Sequence, residues 1–231
     1  MFEYERTEGR TTLHREHTKW LSNGFDGGYS TADAAHNLTV PKGFERTDLD
    51  VYASERLHGI PNGPTLLTGV HQTNARGARH GAVEAVVTAG LSNPARLPVS
   101  GSASPHPARS ERTDAPFEPG TVNVLLGSNE PLTEGGLAGL LATVVEAKTA
   151  TLSAVAGCTG TTSDAVVVGC PNVAGGSAFA GSATRVGNAA RICVRDAIVA
   201  ALASRYDDGV PNPEETAHGA VSSGSATTFR P

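Results

Sequence analysis

Three short strand-like runs, Val83 to Thr88, Thr121 to Leu126 and Ala165 to Val168, with one long helical segment between the second and third, constrain this chain more than anything else in it. In the helical segment, Thr133 to Val155, residues Leu137, Leu140, Leu141, Val144, Val145, Thr149 and Leu152 recur at spacings of three and four, the signature of a helix with one buried side. Val83 to Thr88 suits a central strand buried on both faces and ends at Gly90, Ser92 and Asn93. In Thr121 to Leu126, Val122, Val124 and Leu126 alternate with the polar Asn123. A last amphipathic helix starts at Thr184 or Asn188 and runs through Ala203, with Ile192, Val199 and Leu202 directed to the core. Strands interspersed with helices imply a helix-covered sheet, and consecutive strands earlier in the chain imply that it is not all parallel. The expected fold class is therefore α/β, or α+β, with a mixed sheet in a single domain.

Upstream, Lys19 to Ser22 and Asn37 to Val40 read as short strands around a polar loop whose Asn23, Gly24, Gly27 and Gly28 supply unusual backbone angles. Thr47 or Asp48 caps a helix to about Leu57, which Gly59, Pro61 and Gly63 stop. A strand at Thr65 to Val70 follows, and His71 to His80 reads as a short helical turn. This organisation divides the chain into an N-terminal extension at 1–18, a main domain at 19–206 and a polar, disordered tail at 207–231. Within the main domain, residues 94–119 are rich in Pro, Ser, Ala and Arg without periodicity and are expected to form a long flexible loop.

Several function classes are disfavoured at this stage. A chain of 231 residues can bury about 70% of its unfolded surface around one core. Aromatics make up only 5% of the chain, the net charge is −5 and no basic run exists, so a nucleic-acid partner lacks both its stacking platform and its electrostatic stripe. Cys158, Cys170 and Cys193 are odd in number and show no metal-binding spacing, which fits small buried side chains. The N-terminus is charged and no apolar stretch of about 18 residues stands out, so a membrane partner is not expected and the cytoplasm is the expected location. The glycine patterns of ATP and nicotinamide sites are also missing.

Five motifs carry a more specific signal: LSNGFDGGY (21–29), EAVVTAGLSN (84–93), PGTVNVLL (119–126), TVVEAKTATL (143–152) and TGTTSDAVVV (159–168). In order and wording, from about Trp20 to Tyr206, the chain resembles the adenosylcobinamide amidohydrolase family. The resemblance implies an enzyme that hydrolyses the secondary amide of adenosylcobinamide, giving adenosylcobyric acid and 1-amino-2-propanol in salvage of cobalamin precursors. It also implies a corrinoid as the small-molecule partner, with cobalt entering only inside the substrate and no cofactor or metal held by the protein. Two other readings stay open: a non-catalytic corrinoid carrier, and a transferase acting on the corrinoid side arm.

The roles themselves rest on residue chemistry, because amide hydrolysis needs a nucleophile, donors for the developing oxyanion and an acid for the leaving amine. Ser92 follows an apolar strand and is a candidate nucleophile, although A-G-L-S-N is not a hydrolase elbow. Asn93 beside it is a candidate oxyanion donor. Glu146, inside an otherwise apolar helix, is the first candidate base and Asp164 the second, with Lys148 either steadying negative charge or binding a carboxamide oxygen. His71, after an apolar strand, is the candidate acid. Asn23, Gly24, Asp26, Gly27, Gly28, Asn123, Thr149, Thr159, Thr161 and Thr162 are candidate contacts to the carboxamides. Against these stand plainer structural roles: Asx-turns for Asn23 and Asp26, a helix cap for Ser92, an ion pair with an arginine for Glu146 and a turn cap for Asp164.

Overall fold

The computed structural model describes residues 1–98, 120–216 and 218–231. In chain order the elements are β1 (Glu3–Arg6), β2 (Arg10–Ser22), β3 (Gly28–Thr39), α1 (Leu49–Arg56), β4 (Thr65–Thr68), a 3-10 turn (Gln72–Asn74), β5 (Arg76–His80), β6 (Val83–Ala89), β7 (Pro94–Arg96), β8 (Val122–Ser128), α2 (Glu134–Ala156), β9 (Gly160–Thr161), β10 (Ala165–Pro171), α3 (Arg185–Arg205) and β11 (Ala220–Val221). Eight strands form one sheet in the order β4-β3-β2-β10-β8-β6-β5, with β1 added along β2, and β11-β7-β9 form a small second sheet. The large sheet is mixed: β8 runs parallel to β10 and β3 to β4, while the β2–β3, β2–β10, β6–β8 and β5–β6 pairs are antiparallel.

Alternation along the strands explains the layers. Val83, Ala85 and Val87 of β6, Val122, Val124 and Leu126 of β8, and Val166, Val168 and Cys170 of β10 share one buried cluster with Leu137, Leu140 and Val144 of α2 and Ala190, Val194 and Ile198 of α3. The residues between them on β8 and β10 face the other way, where Leu125 and Val167 meet Phe2, Leu13, Trp20, Ala35 and Leu66. That second side is closed by the sheet itself. Although three strands separate β3 from β6, Asn37 Nδ2 donates to Thr88 Oγ1 at 2.9 Å, and Asn123 Nδ2 reaches Asn37 Oδ1 and the Leu67 carbonyl, each at 2.9 Å. Such bonds require the sheet to curl over its own inner face, the usual consequence of accumulated strand twist.

Several expectations are corrected. The strands at Lys19 to Ser22 and Asn37 to Val40 are the ends of a long hairpin, β2 and β3, and β2 crosses the expected boundary at residue 18. Phe2 is buried against Trp20, so the first residues belong to the sheet. Residues 71–80 make one 3-10 turn and then a strand, whose Arg76, Arg79 and His80 keep an edge strand polar. The loop expected from residue 94 begins as β7, and residues 99–119 lie outside the described residues. Within 207–231, Ala220 and Val221 pair with Ala95 and Arg96, and Glu214 forms an ion pair with Arg96. In α3 the core face carries Ile198 and, as expected, Leu202, while Val199 is exposed and Ile192 is half-buried. Helix α2 is apolar and long enough to cross a membrane by length and composition, yet its Leu137, Leu140, Val144 and Leu152 are packed into the core.

Buried polar groups set the pH response. His36 is fully buried on β3, with Nε2 2.8 Å from the Pro61 carbonyl and Nδ1 3.0 Å from Thr12 Oγ1. A carbonyl can only accept, so Nε2 carries the proton and Nδ1 accepts from the threonine. Burial holds the imidazole below its ordinary value, Arg10 and His14 push the same way, and the Pro61 bond opposes them. The unfolded chain therefore takes up a proton that the folded chain refuses. This contribution to stability is complete above about pH 6.5 and falls by up to about 1.4 kcal/mol per pH unit below it. Urea unfolding at about pH 7.5 and about pH 5.5 should show a smaller loss of stability for His36→Gln than for the unaltered chain; equal losses would contradict this assignment.

Candidate functional site

The first residues of β10 are held one after another by side chains from distant parts of the chain. Ser163 Oγ lies 3.0 Å from Thr121 Oγ1, donates to the Gly120 carbonyl at 3.2 Å and is 3.5 Å from Asn93 Nδ2. At the next position the Asp164 carboxylate accepts from the Val122 amide at 2.8 Å, the Thr161 amide at 3.0 Å, the Thr161 hydroxyl and the Lys148 ammonium. Ala165 donates its amide to Asn123 Oδ1 at 3.2 Å, and Val166 donates to Asn23 Oδ1 at 2.7 Å. Four of the five sequence motifs thus send a residue to 161–166, which lies within the fifth. Leu21 to Tyr29 sends Asn23, Glu84 to Asn93 sends Asn93, Pro119 to Leu126 sends Thr121, Val122 and Asn123, and Thr143 to Leu152 sends Lys148.

The Lys148–Asp164 pair is the electrostatic centre of this arrangement. Their side chains are 7% and 10% exposed, so each charge is stable there only because the other, together with backbone donors, replaces lost water. A carboxylate whose two oxygens already accept four donors has little acceptor capacity left for a substrate. Gly160 fits beside the pair because it has no side chain: a Cβ there would stand 2.5 Å from Asp164 Oδ2 and 2.7 Å from Lys148 Nζ. Cys158 is buried next to the pair, and burial raises its thiol. Cys170 is raised in the same way and Cys193 is pushed up to about 11, so none of the three is a ready thiolate at neutral pH.

Around this centre lies a rim of hydroxyls and amides. Asn93 is buried; its Nδ2 donates to Thr162 Oγ1 at 2.5 Å, and its backbone carbonyl accepts from the Thr162 amide at 3.2 Å. The Oδ1 of Asn93 is buried without a hydrogen-bond partner. Gly120 passes so close that a Cβ on it would be 2.4 Å from both the amide nitrogen and Oγ of Ser92 and 2.8 Å from Asn93 Oδ1. Thr162 and Ser163 are exposed, and Ser92 is half-buried. Thr159 faces the small sheet, with its amide and hydroxyl on the Ala95 carbonyl at 2.8 and 3.0 Å. In the loop after β2, the Ser22 hydroxyl accepts from the Gly24 amide at 3.0 Å, Gly28 has φ +116°, and Asp26 and Gly27 are exposed.

The predicted residues therefore divide. Asn23, Ser92, Asn93, Asn123, Lys148, Thr161, Thr162 and Asp164 are linked through contacts along 120–123 and 161–166. Glu146 is not among them: it is 62% exposed and ion-paired with Arg191 of α3. It points away from Lys148 because two residues along a helix turn the side chain to another face. Thr149 lies half-buried on α2. His71 is exposed, and its Nδ1 is 2.8 Å from Thr73 Oγ1, where it caps the 3-10 turn. Sequence reasoning passed over Gly120, Thr121 and Ser163, while Gly160 belongs to the hydroxyl-rich loop it singled out as an amide-binding nest. The run T-G-T-T-S-D held the clue for Ser163, since a serine beside a buried carboxylate shares its surroundings.

Replacing Asp164 by Asn should lower stability by about 3 kcal/mol in chemical denaturation, because Lys148 stays buried without its counter-charge. Adding Lys148→Met to that variant should recover part of the loss, while strictly additive losses would mean that the two groups are not coupled.

The model of the adenosylcobinamide amidohydrolase family matches residues 3–209. A curated protein from Halobacterium salinarum, named adenosylcobinamide amidohydrolase, is 42% identical to this chain over 236 residues and is covered end to end, as is this chain. With the motifs converging on β10 and the match running through nearly all of the described elements, the chain belongs to the adenosylcobinamide amidohydrolase family.

Proposed function

We propose that the protein hydrolyses the secondary amide of adenosylcobinamide to adenosylcobyric acid and 1-amino-2-propanol, in cytoplasmic salvage of cobalamin precursors. The observation that carries this reading is the convergence of four motifs on residues 161–166 of the fifth, within a chain 42% identical to a protein bearing that enzyme's name. The reading needs no protein-bound cofactor or metal.

The rim supplies groups suited to an amide. Thr162, whose hydroxyl accepts from Asn93, can donate to a carbonyl oxygen as negative charge develops there, and Ser92 supplies the hydroxyl that attacks the amide carbon, its proton passing to the departing nitrogen as the C–N bond breaks and water then cleaving the resulting ester. Asn93 holds Thr162 in place. Asp164 and Lys148 are positioning residues in this account: they fix β9, β10 and the start of β8 so that the rim groups have little freedom to lose on binding. Because the substrate implied by the family carries several similar carboxamides, orientation is the basis of selectivity, and hydroxyls of fixed direction serve that purpose.

The reading is tested by incubating purified protein with adenosylcobinamide in buffer without nucleotide or amine and following products by mass spectrometry. Free adenosylcobyric acid and 1-amino-2-propanol should appear. Binding without any new carboxylate would identify a carrier, and product that forms only with an added co-substrate would identify a transferase. Among variants, Ser92→Ala and Asn93→Ala should lower turnover by about 100-fold, the scale of losing one catalytic group. Glu146→Gln should stay within about twofold of the unaltered enzyme, since its ion pair is on the helix surface.

A further inference from the structure

Away from the hydroxyl rim, the C-terminal ends of α2 and α3 and the turn after α3 enclose a cleft of about 460 Å³, lined by Val155, Val199, Leu202, Tyr206, Asp207 and Val210 among others. This volume is in the range of small-ligand sites. Its lips are apolar and open, with Val155 42% and Val199 45% exposed. The cleft is also tied to the candidate site: the Leu91 amide donates to the Tyr206 hydroxyl at 2.8 Å, and Leu91 directly precedes Ser92 and Asn93. On the other wall, Val155 stands three residues before Cys158, where the chain enters the loop that carries Asp164.

We infer that this cleft takes the adenosyl group of the corrinoid substrate. The inference rests on the proposed amide hydrolysis for the identity of that substrate. The corrin ring is too broad to enter, whereas an adenosyl group offers a flat purine with apolar faces and a ribose with two adjacent hydroxyls. Val155, Val199, Leu202 and Val210 provide aliphatic walls for the purine, and the Asp207 carboxylate provides an acceptor for the ribose hydroxyls, the chemistry by which acidic residues hold ribose elsewhere. Tyr206 then has two functions, one wall of the cleft and the hydrogen bond that fixes the strand end bearing Ser92. Cleft occupancy and the placement of the amide become parts of one binding event.

The test compares binding of adenosylcobinamide and dicyanocobinamide to the full chain, read from corrin absorbance. The unaltered protein should favour the adenosyl form by about tenfold or more, and free adenosine should compete with adenosylcobinamide alone. Val199→Arg, at an exposed position, and Asp207→Asn should bring the ratio of the two affinities toward one. A ratio unchanged in both variants, or no preference in the unaltered protein, would overturn the inference. So would a shift from dimer to monomer in sedimentation on introducing Val199→Arg, because the cleft would then be a contact between copies. A preference abolished by these variants in a protein that hydrolyses neither corrinoid would leave the cleft assigned and reject the amidohydrolase reading, while hydrolysis insensitive to the axial group would do the reverse.

Discussion

The carboxylate of Asp164 is the constraint from which the rest of the structure follows. A nearly buried negative charge cannot persist at the start of a strand unless donors surround it, and here they come from three directions: the amide of Val122 at the start of β8, Thr161 in β9 and Lys148 from α2. These partners fix the register between the two parallel strands at the centre of the sheet and pin the helix that covers them. The side-chain bonds of Asn123 and Asn23 to the next two amides extend the same logic by two residues. Asparagine suits these places because it supplies donor and acceptor without a second buried charge.

A scaffold tied down in this way can present hydroxyls at fixed angles. The exposed Thr162 and Ser163 sit directly between the bonded positions Thr161 and Asp164, so their freedom is limited by neighbours that are fully committed. The curl of the sheet contributes from the other side, because Asn123 bonds at once to β10, to Asn37 and to the Leu67 carbonyl. One residue thereby connects the inner face of the sheet with the edge where the rim lies. Placing polar groups on strand starts held by buried hydrogen bonds, rather than on an unsupported loop, fixes their direction.

Much of this was legible in the sequence, and the failures have physical reasons. The central strands and both long helices follow from unambiguous apolar patterning, and α2 and α3 begin at the capping threonines Thr133 and Thr184. The hairpin of β2 and β3 was seen only at its ends, because its middle carries polar residues such as Glu16 and His17 that face solvent. β5 is mostly charged or small, and β7, β9 and β11 are too short to show any period. Among the candidates, Asn23, Asn93, Asn123, Lys148 and Asp164, chosen by type and motif, lie in one bonded network. Glu146 misled because a charge in an apolar helix suggests burial, whereas its face of α2 meets Arg191 at the surface. Gly120 and Ser163 matter through what passes within a few ångströms of them, which one-dimensional order does not reveal.

The central claim is that the start of β10 and the segments bonded to it form the surface that receives the corrinoid. Titrating isotopically labelled protein with cobinamide and recording backbone amide shifts tests it most directly. The account predicts that the largest changes fall on residues 91–93, 120–123 and 161–166. Changes concentrated elsewhere, for instance in the glycine-rich segment 172–183 between β10 and α3, with those three stretches unmoved, would contradict it.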